Sequence, residues 1–349
     1  MDSSSKVNCI ITGAGGFVGQ ALAAALLNYP HVPNIILTDV VEPPIPARKS
    51  GSKAEIKSVK ADLTDLETCK SLFTPNINLV YLLHGIMSGA AEANLELGLK
   101  VNLDSTRQIF DLLRHTNPGV KVIFTSSTAV YGPPKTPETP VTESDAPDPG
   151  TSYGAQKHIC ETLLNDYSRR DLLDGRICRL PTVGRGCAPV LSSLIGRQVT
   201  VRPGKPTGAA SSFASGIFRE PLNGEKSILP VSKELEVWIC SSRTVVKNLV
   251  KAQDIPKERY NGSRIVNLPG ITVTIKEMLE ALKKVGGEEA LNLVEEKRDE
   301  ATEKIVESWP TRLDTSKAKS LGFLDDGQLE QTLNDYVEDY GARSKNGGN

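Results

Sequence analysis

Residues 12–19 read TGAGGFVG and directly follow a short apolar run. An Ala/Leu-rich run, Phe17 to Leu27, comes after the glycines. This order predicts a strand, a tight turn and a helix, with Gly13, Gly16 and Gly19 where the backbone turns sharply and packs closely. The amino terminus of such a helix binds pyrophosphate, because its free N–H groups and its dipole face the anion. The motif therefore predicts a dinucleotide site at the start of an α/β fold.

The first half of the chain alternates apolar runs of strand length with helical patterns. The strand-like runs are 35–39, 79–83, 120–126 and 176–180, and the helical patterns cover 92–113 and 153–170. Strands that alternate with helices predict a parallel sheet covered by helices on both faces. This arrangement is a doubly wound α/β (Rossmann) fold.

Beyond residue 180 the pattern is less regular and predicts a smaller C-terminal substrate lobe. We expect a dinucleotide-binding domain over 1–180, to which a segment near 236–268 returns as a strand and a helix. The substrate lobe would comprise 181–235 and 269–340, and 341–349 would be a flexible tail.

Composition and charge argue against several classes of function. The formal net charge of -1, with dispersed Lys and Arg, supplies no basic field for nucleic acid. No apolar stretch approaches the roughly 20 residues of a membrane span, and the first residues lack the apolar segment of a secretory signal. The 6 cysteines and 4 histidines are scattered without metal-site spacing. We expect a cytoplasmic protein that binds a small-molecule substrate, and no nucleic acid, membrane or metal.

Acidic residues at strand ends indicate which dinucleotide binds. Asp39 closes the second strand about 20 residues beyond Gly19, where a carboxylate accepts hydrogen bonds from the adenosine ribose. A 2′-phosphate there would meet a like charge, so the sequence predicts NAD rather than NADP. Asp62 and Leu63 end a later apolar stretch and could lie beside adenine, or Asp62 could cap a helix.

Candidate catalytic residues lie at the end of the strand at 120–126 and at the start of the helical pattern at 153–170. Tyr153 and Lys157 are four apart in a helical pattern and project from one face. A nearby ammonium stabilises a phenolate, so we expect Lys157 to make the Tyr153 phenol more acidic. Ser127 would hydrogen-bond the same substrate oxygen and position it for proton transfer. Thr128 is a competing hydroxyl at this strand end.

The ordered set of motifs resembles the extended short-chain dehydrogenase/reductase family. Residues 124–132, FTSSTAVYG, are similar to the SSxxVYG segment of that family, in which the second Ser is catalytic, and 151–157, TSYGAQK, carry its Tyr and Lys. The resemblance implies hydride transfer with NAD on a Rossmann fold, with Ser127, Tyr153 and Lys157 as the catalytic residues. It also implies a homodimer that pairs through the helices near 94–113 and 153–170.

A narrower resemblance, to the D-erythronate dehydrogenase group of this family, covers almost the whole chain. It is carried by RLPT at 179–182, VRPGKP at 201–206, SSFASGI at 211–217, REPL at 219–222, NLPG at 267–270 and SWP at 308–310. It implies oxidation of the C2 hydroxyl of a short sugar acid to a 2-keto acid. Two alternatives stay open: a nucleotide-sugar epimerase or dehydratase with tightly bound NAD, and a non-catalytic dinucleotide-sensing protein.

Two departures from the family pattern stand out. Residues 184–198 separate two halves of a run that is continuous in the group, and they are either a genuine loop or a translated intron. His84 stands where the family more often has Ala, and it either lines the cofactor or is a packed core histidine.

The complete expectation for the site has two parts. The residues expected at the cofactor are Gly13, Gly16, Phe17, Val18, Gly19, Asp39, Asp62, Leu63, His84, Tyr153, Lys157 and Pro181. Those expected at the substrate are Ser88, Ser127, Thr128, Tyr153, Arg202, Lys205 and Arg243. The three cations are candidates because a small sugar acid requires a positive partner for its carboxylate.

Overall fold

A computed structural model describes residues 8–29, 34–47, 54–133, 136, 139–183, 212–327 and 329. The strands are β1 (Asn8–Thr12), β2 (Asn34–Asp39), β3 (Glu55–Lys60), β4 (Leu79–Leu82), β5 (Lys121–Ser127), β6 (Asp174–Leu180), β7 (Thr182–Val183), β8 (Ser227–Leu229), β9 (Glu236–Cys240), β10 (Ile265–Asn267), β11 (Ile271–Thr274) and β12 (Val294–Glu296).

The α-helices are α1 (Phe17–Leu26), α2 (Leu66–Leu72), α3 (Ser88–Ala93), α4 (Leu95–Gly98), α5 (Ser105–Thr116), α6 (Ser152–Arg169), α7 (Ser212–Leu222), α8 (Ser242–Asp254), α9 (Ile275–Leu291), α10 (Glu300–Glu307) and α11 (Ser316–Leu321). A π-helical turn, Leu99–Asp104, joins α4 to α5, and 3-10 turns occupy Thr128–Val130 and Lys257–Tyr260.

The main sheet is parallel and seven-stranded, in the order β10-β6-β5-β4-β1-β2-β3. Strands β2 and β3 are added on one side of β1, whereas β4 and the later strands are added on its other side. At such a switch in strand order, a crevice forms at the carboxyl ends of the strands. Apolar side chains cover both faces, with Ile11 and Tyr81 in one cluster and Ile10 and Val80 in the other. The doubly wound α/β fold is therefore confirmed.

A smaller part of the molecule follows β6. Strands β7, β9 and β11 form a three-stranded sheet, and β8 pairs with β12. Helices α7 and α9 pack with these strands around a separate apolar cluster that includes Ile217, Leu282 and Trp309. Apart from β9, these elements fall within 181–235 and 269–340.

The segment near 236–268 supplies a strand and a helix to the main sheet, but the strand is not the one predicted. The expected strand, β9, pairs with β7 and β11 in the small sheet, because these segments, distant in the chain, meet in the folded protein. The expected helix, α8, does pack on the main sheet through Val245 and Leu249. The strand that joins the main sheet is β10, which pairs with β6.

Candidate active site

A cavity of about 480 Å³ lies at the carboxyl ends of the parallel strands, within the size range of small-molecule sites. The predicted residues that line it are Gly13, Gly16, Phe17, Val18, Gly19, Asp39, Asp62, Leu63, His84, Ser88, Ser127, Thr128, Tyr153, Lys157 and Pro181. The structure thus brings together all the predicted site residues that it describes except Arg243.

The glycine turn is shaped by contacts that leave no space for side chains. Gly13 has a φ of +65°, and a Cβ there would lie 2.7 Å from the backbone nitrogen of His84. A Cβ on Gly19 would lie 2.5 Å from the carbonyl oxygen of Gly13 and 2.7 Å from Ala14 Cα. Helix α1 therefore starts directly against β1, and no side chain caps its amino terminus at Gly16. This bare helix end at the cavity wall fits a pyrophosphate group.

Asp39 is held at the end of β2 by backbone donors. Its Oδ2 accepts from the Gly15 N–H (3.0 Å), and its Oδ1 accepts from the Val40 N–H (2.7 Å). These bonds fix a carboxylate at the cavity wall beside the glycine turn. The position fits a ribose whose hydroxyls donate to a carboxylate.

Asp62 was expected either beside adenine or as a helix cap, and the structure does not make it the cap of α2. The side chain that caps α2 belongs to Asp65, which accepts from Thr68 N–H. Asp62 instead accepts from Thr64 N–H (2.9 Å), and the bonds to Thr64 lower the pKa of its carboxyl. Asp62 lines the cavity next to buried Leu63.

His84 both packs into the structure and lines the cavity. Ser105 Oγ donates to the Val101 carbonyl oxygen (2.6 Å), so it accepts from His84 Nε2 (2.9 Å). His84 Nδ1 then accepts from Thr12 Oγ1 (2.9 Å). Burial, and secondarily the charge of Lys157, lower the pKa of His84 to about 3. The imidazole is therefore neutral and ties β1 to the loop after β4 and to α5.

Helix α6 presents Tyr153 and Lys157 to the cavity. The helix begins where the Thr151 Oγ1 accepts from Gly154 N–H (3.2 Å). A Cβ on Gly154 would lie only 2.3 Å from the carbonyl oxygen of Ala129, so the first turn packs tightly on the loop after β5. Ser127 ends β5 just before that loop, and its Oγ accepts from the Ala129 N–H (3.2 Å). All three predicted catalytic side chains consequently line one cavity.

The ammonium of Lys157 is almost completely buried, at 3% exposure. Its Nζ donates to the carbonyl oxygen of Thr125 (3.0 Å) and lies 4.8 Å from the ring centroid of Phe124 and 5.7 Å from that of Tyr153. Burial lowers the pKa of Lys157 to about 8, although Cys160 and Glu161 oppose the shift. Lys157 therefore places its ammonium beside the ring of the proposed reacting phenol.

The expectation of a more acidic Tyr153 is wrong for this state of the protein. Burial raises the pKa of the Tyr153 phenol to about 12. The reason is that Lys157 lies beside the phenol ring and directs a hydrogen bond at the Thr125 carbonyl. Desolvation of the phenolate therefore outweighs the attraction of the ammonium.

Sequence reasoning missed Asn102, which shapes one wall of the cavity. Asn102 is 1% exposed and lies in the π-helical turn. Its Oδ1 accepts from Ile86 N–H (2.8 Å), and its Nδ2 donates to the Ile86 carbonyl (3.1 Å) and to Gln156 Oε1 (2.8 Å). These bonds fix the cavity-lining loop after β4 to the helix that carries Lys157. A π-helical turn has no recognisable sequence pattern, so no signal marked Asn102.

Sequence reasoning also missed residues that line the cavity directly. They are Val40, Ala61, Thr64, Leu83, Gly85, Ile86, Met87, Val101, Ser105, Thr125, Ser126, Ala129, Leu180, Ser215 and Trp309. Most lie next to a predicted residue, so strand-end position alone could have indicated them. Ser215 and Trp309 come from the smaller part of the molecule, and only the packing of that part on the main sheet brings them to the cavity.

The three cations expected at the substrate are Arg202, Lys205 and Arg243, and the structure describes only Arg243. Arg243 lies in the first turn of α8 and is not among the described residues that line the cavity. Helix α8 packs on the main sheet through buried residues that include Val245 and Leu249. Arg202, Lys205 and the 184–198 segment lie outside the described residues.

The described ranges contain neither a candidate metal cluster nor a candidate membrane span. No group of three His, Cys, Asp or Glu side chains there could hold a metal ion. No helix in that part of the chain has both the length and the apolar character needed to cross a membrane.

This geometry places the protein among the Rossmann-fold enzymes that act through a bound dinucleotide. Comparison with known proteins then defines the group more closely. The chain belongs to the NAD dependent epimerase/dehydratase family, whose model matches residues 9–191. Its cofactor is NAD, and it is an NAD-dependent dehydrogenase of the extended short-chain type.

Curated relatives match over almost their whole length. The chain is 39% identical to a D-erythronate dehydrogenase of Haemophilus influenzae over 94% of this chain and 98% of the relative. It is also 39% identical to one of Cupriavidus necator, over 96% of this chain and 99% of the relative.

Solved structures share the fold. A nucleoside-diphosphate-sugar epimerase from Agrobacterium tumefaciens is 34% identical, with a TM-score of 0.82, over 96% of this chain and 94% of that one. A GalE-like L-threonine dehydrogenase from Cupriavidus necator, at 21% identity and a TM-score of 0.76 over 95% of this chain and 99% of that one, shows similarity of fold alone.

Proposed function

We propose that this protein oxidises the C2 hydroxyl of D-erythronate, or a closely similar short sugar acid, to a 2-keto acid with NAD. The observation that carries the proposal is the meeting of Ser127, Tyr153 and Lys157 with the glycine turn around one cavity. The whole-length similarity to two D-erythronate dehydrogenases supports this substrate class.

The site has residues suited to NAD along its whole length. Gly13, Gly16 and Gly19 would admit the pyrophosphate to the amino terminus of α1, and Asp39 would accept from the adenosine ribose. Lys157, at the other end, would donate to the nicotinamide ribose. When bound, NAD supplies the hydride acceptor for the reaction.

The protein residues manage the proton of the substrate hydroxyl. As the phenolate, Tyr153 would accept this proton from the hydroxyl oxygen while the hydride leaves the carbon that bears the hydroxyl, so that the products are the keto acid, NADH and a proton. Ser127 and Thr128 donate to the substrate oxygen and fix its distance from Tyr153. Since burial raises the pKa of Tyr153 to about 12, the positive charge of Lys157 is needed close by to stabilise the phenolate.

An assay with purified protein, NAD and a panel of four-carbon sugar acids tests the proposal. We expect NADH absorbance with D-erythronate and a smaller rate or none with its stereoisomers. Absence of NADH with every acid would eliminate this substrate class.

Epimerisation or dehydration of a nucleotide sugar is the second candidate, supported by the structural similarity to a nucleoside-diphosphate-sugar epimerase. In that reaction NAD stays bound and no net NADH forms. An NMR assay with UDP-sugars therefore separates the two candidates. A dinucleotide sensor, the third candidate, would turn over neither group of compounds.

We also propose a homodimer that pairs through the helical segments near 94–113 (α4 to α5) and 153–170 (α6). Three large apolar side chains on these elements are exposed: Leu95 at 51%, Leu97 at 43% and Ile159 at 48%. Exposed apolar side chains that cluster on one surface are typical of protein interfaces.

A further inference from the structure

Two buried charges lie directly behind the candidate active site. Arg179 of β6 is 1% exposed, and Glu161 of α6 is completely buried. The Arg179 Nε and Nη2 donate to the two carboxylate oxygens of Glu161 at 2.8 and 2.6 Å. This is a bidentate pair, the geometry in which such bonds are strongest.

The pair is connected to each segment that supplies a proposed catalytic residue. Glu161 lies one helical turn beyond Lys157 on the same face of α6. Arg179 is opposite Ser126 in the register of β5 and β6, and it precedes the cavity residue Leu180. The pair therefore joins α6 to the two strand ends that line the cavity.

Tyr131 extends the connection to the loop after Ser127. The guanidinium carbon of Arg179 lies 4.4 Å from the Tyr131 ring centroid. The Tyr131 hydroxyl donates to the carbonyl oxygen of Thr142 (2.8 Å) or to Asn267 Oδ1 (2.9 Å). Arg179, Glu161 and Tyr131, here called the Arg179 triad, do not themselves line the cavity.

Stability alone is a weak reason for burying such charges. The loss of hydration of two buried ions offsets most of their mutual attraction, and apolar replacement of a complete pair is often neutral or stabilising. Catalysis, by contrast, depends strongly on the spacing of the reacting groups, and a shift of about 1 Å can cost about a hundredfold in rate.

We propose that the Arg179 triad positions Tyr153 and Lys157 relative to Ser127, and so sets the turnover rate without contact with substrate. The inference depends on the proposed roles of these three residues. It assigns a task to a buried ion pair that the chemical step does not itself use.

The same strand supplies a matched control. Arg176 is also 1% exposed, donates to Asp174 and lies 4.8 Å from the Tyr260 ring centroid. Arg176, Asp174 and Tyr260 form a similar triad at the other end of β6, and none of them lines the cavity. Loss of this triad tests the general cost of removing a buried arginine from β6.

The experiment compares Glu161→Leu/Arg179→Met with Asp174→Leu/Arg176→Met. We expect the first double variant to retain its fold and to bind NAD within about twofold of wild type, while kcat for D-erythronate falls by about tenfold or more. We expect kcat of the control variant to stay within about twofold. Wild-type kcat in a folded Glu161→Leu/Arg179→Met variant, or an equal loss in the control, would overturn the proposal.

A second variant keeps the test decisive if the first does not fold. Glu161→Gln preserves the shape of the side chain but removes its charge, so we expect a lower kcat with an unchanged KM. A wild-type kcat in this variant would also contradict the positioning role.

A crystal structure provides a readout that does not depend on the substrate. In the folded variant with the lowest kcat, or in Glu161→Gln if no acid is turned over, we expect Tyr153 to shift relative to Ser127 by more than about 0.5 Å. Unchanged spacing would refute the positioning role even if D-erythronate proved to be the wrong substrate. Conversely, full activity of Tyr153→Phe would refute the proposed chemistry. The distance between Tyr153 and Ser127 in the crystal structure would then still test whether the triad positions these residues.

Discussion

At the scale of a single residue, the buried Lys157 amine makes stability depend on pH. Burial lowers the pKa of this amine to about 8, from 10.5 in water. The unfolded chain therefore binds more protons than the folded protein between about pH 8 and 10.5. Stability consequently rises with pH across this window, because the cost of burying the charge disappears as Lys157 loses its proton.

We predict that Lys157→Met is more stable than wild type at pH 7, by up to about 3 kcal/mol, since each pKa unit corresponds to about 1.36 kcal/mol. The difference in free energy of unfolding between the variant and wild type should become smaller between pH 8 and 10.5. Urea unfolding of both proteins at pH 7 and pH 10 measures this difference. A difference that does not change with pH would show that the charge of Lys157 is not the destabilising feature.

Sequence motifs named three residues that the structure places around one cavity. Tyr153, Lys157 and Ser127 could be named because their types and spacing form a signature. The direction of the Tyr153 pKa shift could not, because it depends on burial by distant parts of the chain. The substrate role of Arg243 stays a prediction, since Arg243 is not among the described residues that line the cavity.

At the scale of elements, the turn between β1 and α1 depends on close backbone contacts. The Gly19 Cα lies where an added Cβ would meet Gly13 O at 2.5 Å, and neither backbone group can move freely. The sequence predicted this turn in full, because a glycine pattern between a strand and a helix has few structural solutions.

We predict that Gly19→Ala loses about 2–4 kcal/mol of stability and weakens NAD binding by about tenfold or more, because α1 must shift away from the pyrophosphate. Gly224→Ala is the control. Gly224 has a φ of +79° but an added Cβ would meet nothing within 4 Å, so we expect only the backbone cost of about 1–2 kcal/mol. Chemical unfolding and NAD titration distinguish the two. Equal effects on NAD affinity would contradict the close-packing explanation.

Other elements were predicted in type but not in detail. The long helical pattern near 92–113 was expected to be one helix, and the structure divides it into α4, a π-helical turn and α5. Asn102 and its bonds to Ile86 become possible only through that irregular turn. Strand β3 was not predicted, because its side chains are half-exposed and its sequence, EIKSVK, is largely polar.

At the scale of the whole molecule, the site depends on two parts of the chain that are separate in sequence. Ser215 and Trp309 reach the cavity from the smaller part, whereas the other lining residues come from the main sheet and from the helices and loops connected to it. Sequence periodicity identified a less regular second half but not its connections. Pairing of β9 with β7 and β11 depends on contacts between distant segments, which no local pattern records.

Quaternary structure supplies a test at this scale. We expect light scattering to give twice the chain mass of 37.6 kDa for wild type and the monomer mass for Ile159→Glu, because a charge in the apolar surface of α6 would be costly to bury. Ile228→Glu is the control, since Ile228 is also exposed (54%) but lies on β8. Wild-type protein at monomer mass would contradict the proposed homodimer.

The central claim is that Tyr153 exchanges the proton of the substrate hydroxyl in an NAD-dependent oxidation, and Tyr153→Phe tests it most directly. This change removes one hydroxyl and preserves the ring that packs beside Lys157. With D-erythronate as substrate, we predict that NADH formation falls by about a hundredfold or more, in the range usual for a general base. NAD affinity should stay within about twofold. A variant that forms NADH at the wild-type rate would contradict the account.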